Sequence, residues 1–124
     1  MSAGPLHPSD AAGHLVTMSA DVRSAVLIDP AGGLVSASDD DSVRARRLAG
    51  LAHEVLSAVD SASTGAGSEP NDVVSALEAQ TLGGAVFAVR DASYTLACVT
   101  RRLALPALVV YDLRQTMLAL ELRA

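Results

Sequence analysis

Apolar and polar positions alternate along this chain in blocks that predict strands and helices in a definite order. Val22 to Asp29 (VRSAVLID) is rich in apolar and β-branched residues and reads as a strand. Asp29-Pro30-Ala31-Gly32-Gly33 follows it. Proline at the second turn position has the φ that position needs, and glycine near the end supplies positive φ. Leu34 to Ser38 returns as a second strand and completes a hairpin. Asp39-Asp40-Asp41-Ser42 ends the strand and opens a long helix from about Val43 to Ala62. Short acceptor side chains there satisfy free N–H groups, and their charge suits the positive end of the helix dipole. Leu48, Leu51, Ala52, Val55, Val59 and Ala62 recur at helical spacing and predict the stripe that faces the sheet.

Ser63 to Asp72 (STGAGSEPND) reads as a connector. Val73 to Leu82 predicts a third strand, with Val73, Leu77 and Ala79 on one side and Glu78 and Gln80 on the other. Gly83-Gly84 suits a two-residue turn with positive φ at both positions. Ala85 to Arg90 and Tyr94 to Thr100 continue the meander around Asp91-Ala92-Ser93. The last segment, Pro106 to Leu122, reads as a helix with proline at its first position and Val110, Leu113, Met117 and Leu120 as its stripe. Leu108, Tyr111, Leu118 and Leu122 widen that apolar surface, as for a helix lying flat across a sheet. At the front, residues 1–8 carry Pro5 and Pro8 and read as a flexible tail. Ser9 and Asp10 then cap a short helix through Ala11, Leu15, Val16 and Met18. The element order is α-β-β-α-β-β-β-α, which describes one α+β domain over residues 9–124 with an antiparallel sheet.

Composition narrows the function. Half of the 124 residues are apolar, which supports a folded core without disulfides or metal. A net charge of −5, with aromatic residues at only 2%, argues against a nucleic-acid binder. Charges interrupt every apolar stretch before it reaches the ~18 residues of a membrane span. Met1 to Asp10 has no basic or apolar leader segment and no lipidation motif, so a cytoplasmic protein is expected.

No catalytic constellation assembles. His7, His14 and His53 are far apart and lack metal-ligand spacing. The acidic triplet Asp39 to Asp41 lacks the glycine and distal glutamate of a calcium loop. The chain has no lysine, no phosphate-binding Gly-Lys-Ser/Thr and no G-x-S-x-G elbow. Cys98 lies in an apolar strand and reads as an inert small hydrophobe. Neither a cofactor nor an enzymatic activity is expected.

The long helix offers a second surface. At ~100° per residue, Arg46, Gly50, His53, Ser57 and Asp60 point away from the predicted stripe, with Ala49 and Leu56 beside them. A solvated face would carry long charged side chains in its middle. Here the middle is small, and Gly50 costs roughly 1 kcal/mol relative to alanine in a helix interior. Either the alanine-rich composition explains this, or another backbone approaches closely. Arg44, Arg46 and Arg47 form a basic cluster in the first turns, read either as surface solubility or as a contact for an acidic partner.

VRSAVLIDPAGGLVSAS resembles the first hairpin of the Roadblock/LC7 family. The pattern is an apolar strand (Val22, Ala25, Val26, Leu27, Ile28), Asp29, a turn ending at Gly33, the apolar pair Leu34-Val35 and the small ending Ala37-Ser38. The long helix, the meander and ALVVYDLRQTM are similar to the family's second half, so the resemblance runs from about residue 11 to residue 122. It implies a Roadblock/LC7-like five-stranded sheet with helices on both faces. It also implies a non-catalytic homodimer paired through the long helix and the third strand. On that reading Ala49, Gly50, His53, Leu56, Ser57, Leu77 and Ala79 form the dimer interface. Bacterial relatives are similar to regulators of Ras-like small GTPases, and others act as scaffolds. The implied function is therefore a homodimeric regulator or scaffold that binds a Ras-like small GTPase and modulates its nucleotide state, with Arg44, Arg46 and Arg47 touching the partner. The alternative is a small-ligand sensor of PAS or profilin-like architecture. Such a pocket needs convergent polar groups and aromatics, and Phe87, Tyr94 and Tyr111 are the only aromatics available.

Overall fold

A computed structural model of the chain describes residues 6–65, 76–80 and 84–121. A 3-10 turn, Pro8–Asp10, leads into α1 (Ala11–Met18). The hairpin β1 (Val22–Ile28) and β2 (Leu34–Ala37) precedes α2 (Ser42–Gly65). The meander β3 (Ala76–Gln80), β4 (Ala85–Arg90) and β5 (Thr95–Thr100) is followed by α3 (Pro106–Glu121). The five strands form one antiparallel sheet in the order β2-β1-β5-β4-β3. The crossover through α2 thus places β1 beside β5, with Ala25 opposite Cys98 and Leu27 opposite Leu96.

Both faces of the sheet are covered, which explains why its central strands are continuous apolar runs and not alternating ones. Ala25 and Leu27 of β1, Phe87 and Val89 of β4, and Leu96 and Cys98 of β5 pack with α1 and α3 around Leu15, Val109, Leu113 and Met117. Each large side chain removed from water there contributes about 1.5–3 kcal/mol. The intervening residues Val26, Ile28, Val86, Ala88 and Ala97 face the other way, against Ala45, Leu48, Ala49, Ala52 and Leu56 of α2. That second layer carries alanine on both sides, at 45, 49 and 52 of α2 and at 88 and 97 of the sheet, among larger Val, Ile and Leu side chains. Leu6 packs against the first layer. The packed chain therefore begins ahead of Ser9, within the segment expected to be a tail; residues 1–5 of that segment lie outside the described residues.

Local chemistry sets the element ends. Asp29 Oδ1 accepts from the backbone N–H groups of Ala31 (3.0 Å) and Gly33 (2.8 Å). Gly32 has φ +93°, but Gly33 does not need positive φ. A Cβ on Gly33 would lie 2.7 Å from Asp29 Oδ2, so glycine clears the carboxylate that organises the turn. Ser38 Oγ accepts from Ala25 N–H at 2.8 Å, and Ser38 N–H donates to the Ala25 carbonyl at 3.0 Å. This fastens the end of β2 onto β1. Asp41 is the cap of α2: its Oδ1 accepts from Val43 N–H and Arg44 N–H, both at 3.1 Å. Pro106 occupies the first position of α3, as expected, and the Leu105 carbonyl accepts from Leu108 and Val109.

Two expectations change. Of the third strand expected over Val73 to Leu82, Ala76–Gln80 is described; residues 73–75 and 81–82 lie outside the described residues, as does most of the connector. Gly84, read as a positive-φ turn residue, is a close-approach residue instead: a Cβ there would collide with the Thr100 carbonyl. Leu108, Tyr111 and Leu118 do not widen the buried side of α3, because each is half exposed. The buried apolar residues of α3 are Val109, Leu113, Met117 and Leu120, with Thr116 also buried and Val110, expected in the stripe, only partly buried beside them.

Candidate functional site

The buried residues of α2 are Ala45, Leu48, Ala49, Ala52 and Leu56. Their spacing of three, one, three and four is one helical face. It is rotated by most of one residue step from the stripe expected from sequence. Ala49 and Leu56, expected at an outward interface, are therefore sheet contacts, with Leu56 only 2% exposed. Leu51, expected in the core, points outward and is 47% exposed. The physical reason is fit: the side that carries alanine at three of five positions can approach Ala88 and Ala97, and Leu51 cannot.

The outward face of α2 consists of Val43, Arg46, Arg47, Gly50, Leu51, Glu54, Ser57 and Ala58. Val43 and Leu51 are exposed large apolar side chains. Gly50 adjoins Leu51 and lies two turns along the same face from Val43, and a Cβ there would meet nothing within 4 Å. The middle of this helix thus presents Leu51 beside a gap, with Val43 in the first turn. Arg46 and Arg47 are exposed and form no ion pair among the described residues. Arg44 differs from them: its Nη1 lies 3.3 Å from Asp39 Oδ2, so part of its charge is met within its own chain.

His53, expected at the interface, leans toward the hairpin. A Cβ on Gly32 would lie 3.1 Å from His53 Cδ2, so its ring covers the turn between β1 and β2. Ser57 is exposed and borders, with His53 and Asp60, a hollow of about 230 Å³ closed by Asp29, Asp91 and Tyr94. Arg90 Nη1 and Nη2 donate to Asp60 Oδ2 and Oδ1 at 2.8 and 2.6 Å. This two-pronged pair ties α2 to the end of β4 and was not legible in sequence, since the partners are thirty residues apart. Leu77 and Ala79 are placed by their backbone only: they stand opposite Ala88 and Val86 in β3, which is a sheet edge with one neighbouring strand.

The chemistry of these groups is that of contact. Among the described residues, no three His, Cys, Asp or Glu side chains converge as metal ligands would. Burial raises the Cys98 thiol to about 12, with a hydrogen bond from the Phe87 backbone opposing it. Cys98 is thus a protonated core group at neutral pH, not a nucleophile. Among the described residues, no helix is long and apolar enough to cross a membrane.

No protein-family model matches the chain, and no curated protein sequence matches it. Solved structures do. A Roadblock/LC7 domain from Streptomyces avermitilis aligns with a TM-score of 0.78 at 22% identity, over 91% of this chain and 93% of that one. The fold is the Roadblock/LC7 fold. MglB from Myxococcus xanthus aligns at 0.74 and 15% identity, over 90% of this chain and 89% of its own. Profilin II from Acanthamoeba castellanii aligns less closely, at 0.67 and 11% identity, over 95% of this chain and 100% of its own. In this Roadblock/LC7 fold, the covered side of α2 is fully used by the sheet, and the outward side carries Val43, Gly50 and Leu51.

Proposed function

We propose that the protein is a non-catalytic homodimer that binds a Ras-like small GTPase, as regulator or scaffold, and biases its nucleotide state by contact. The observation that carries this reading is the outward face of α2. Leu51 exposes apolar surface beside Gly50, and Val43 does so two turns earlier on the same face, in a helix tied down on its other side by the sheet. A second α2 laid against it would bury both side chains, and the missing Cβ at Gly50 allows close approach. The β3 edge gives a second contact in the same proposal. Exposed edge strands are a liability unless covered or paired, and among the described residues β3 pairs on one side only.

The revised interface is Val43, Gly50, Leu51 and Ser57, with the backbone of β3 at Leu77 and Ala79. Arg46 and Arg47 are the partner-facing charges, because arginines in the first turns of a helix oppose its dipole and gain from a partner carboxylate. Likeness in fold to MglB supports a GTPase as the partner class, by analogy. A cytoplasmic location belongs to the same proposal. The test is binding to small GTPases encoded near this gene, each loaded with GDP and with a GTP analogue. We expect one nucleotide state to bind more tightly and Arg46→Ala/Arg47→Ala to weaken it several-fold. No binding in either state removes the reading.

The sensor alternative has one observation in its favour, the architectural likeness to profilin II. A small molecule retained in a native mass spectrum would revive it.

A further inference from the structure

α3 is apolar on two sides. Val109, Leu113, Met117 and Leu120 are buried against the sheet, while Leu108, Tyr111 and Leu118 are half exposed. Spacings of three and seven residues keep the exposed three on one strip, ~15 Å long at 1.5 Å per residue. Leu105 and Leu103 extend the apolar surface beyond the start of the helix, and Leu103 is 96% exposed. Leu103 is also held at φ 65°. The left-handed region is unfavourable for a residue with a Cβ, and such strain collects at functional positions. Contiguous apolar surface of this kind marks interaction sites.

Charge says what covers it. Arg101 and Arg102 adjoin Leu103 in the chain, and Arg114 stands one helical turn from both Tyr111 and Leu118. Arg114 and Leu118 border the same hollow of about 200 Å³, with Met117, Val89, Arg90 and Asp91. All three arginines are exposed, and none forms an ion pair among the described residues. From residue 101 to residue 118 the sole carboxylate is Asp112, although the whole chain carries −5. This stretch of the chain is therefore locally basic on an acidic protein, with Asp91 lining the hollow beside Arg114 and Asp21 adjoining Arg101.

We propose that the outer face of α3 docks an amphipathic helix of a partner protein whose apolar stripe is flanked by Glu or Asp. The stripe lies along Leu108, Tyr111 and Leu118, and the flanking carboxylates meet Arg101, Arg102 and Arg114. A bilayer fits less well: recognition of anionic lipid takes clusters of about four to eight basic residues, and an acidic chain is repelled by an anionic surface. The site lies on the opposite side of the sheet from α2, so it stands independently of the GTPase reading and leaves the α2 face free.

The test uses the full chain and two labelled synthetic helical peptides with the same leucine stripe, one flanked by Glu and one by Lys. In fluorescence anisotropy at low salt, the Glu peptide binds at least tenfold more tightly than the Lys peptide, and the difference shrinks as salt rises. Tyr111→Ser/Leu118→Ser lowers Glu-peptide affinity at least tenfold with an unchanged circular dichroism spectrum. Arg101→Glu/Arg102→Glu/Arg114→Glu reverses the preference. Equal binding of the two peptides, or unchanged binding by the serine variant, overturns the proposal. So does capture by phosphatidylglycerol vesicles without peptide binding, or self-association that the serine variant abolishes.

Discussion

Replacing Leu56 and Leu51 separately by alanine reads out which side of α2 faces the sheet. Leu56 is 2% exposed among Val26, Ile28, Val86 and Ala97, so truncation removes nearly the whole transfer contribution and leaves a void. Leucine-to-alanine changes in such sites cost about 2–5 kcal/mol. Leu51 is 47% exposed, so about half of its surface is already in water. Taking the burial contribution of a leucine as ~2 kcal/mol, half of it is ~1 kcal/mol, with little void left behind. Leu56→Ala is therefore expected to lower stability by at least twice as much as Leu51→Ala. The measurement is urea unfolding followed by circular dichroism, at dilutions where the midpoint no longer depends on protein concentration, so that self-association does not enter. At high concentration Leu51→Ala should gain an additional, concentration-dependent penalty. A dilute-solution cost for Leu51→Ala equal to or above that of Leu56→Ala would refute the assigned orientation of the helix.

Two glycines of similar appearance in sequence should respond oppositely to alanine. Gly50→Ala meets open space in a helix interior and should raise the stability of the monomer by up to ~1 kcal/mol; Gly32→Ala meets φ +93° and the His53 ring at 3.1 Å and should lower it by about 1–2 kcal/mol, both read from urea midpoints in the same dilute regime, where self-association does not enter. Cys98 should resist iodoacetamide in the native protein at pH 8 and react after denaturation. Its folded value of about 12 lies above the unfolded value of 9.0, so the folded state holds the proton more tightly. The stability from this group is then complete below pH 9 and declines as pH rises from 9 toward 12. A Cys98→Ala variant should lack that part of the alkaline decline.

The order of elements was legible because each boundary carries its own local chemistry. Asp29 and the glycines mark the first turn, Asp41 caps α2, Asp91 organises the turn before β5, and Pro106 opens α3. Unbroken apolar runs such as AVFAVR signalled strands with both faces covered. The orientation of α2 was not legible. Leucine occurs on both sides of it, at 48 and 56 inward and at 51 outward, so hydrophobicity alone does not choose. The choice is made by size against Ala88 and Ala97, residues far away in sequence. The same holds for His53 over Gly32 and for Asp60 with Arg90: each is created by the β1–β5 pairing and the seating of α2. Of the expected interface, Gly50 and Ser57 are outward and Ala49 and Leu56 are inward, while Leu51, which helical spacing assigns to the core stripe, is exposed, as is Val43. The exposed strip on α3 was read as sheet contact for the same reason: composition gives the amount of apolar surface, not the side that is covered.

The central claim is that the outward face of α2 seats a second copy of the chain. Sedimentation equilibrium on the wild type and on Gly50→Arg tests it directly, since arginine is well tolerated in an exposed helix and would project into a partner. The account predicts a wild-type mass of twice 12.6 kDa and a folded monomer for Gly50→Arg. A wild-type monomer, or a variant dimer of unchanged strength, would contradict it.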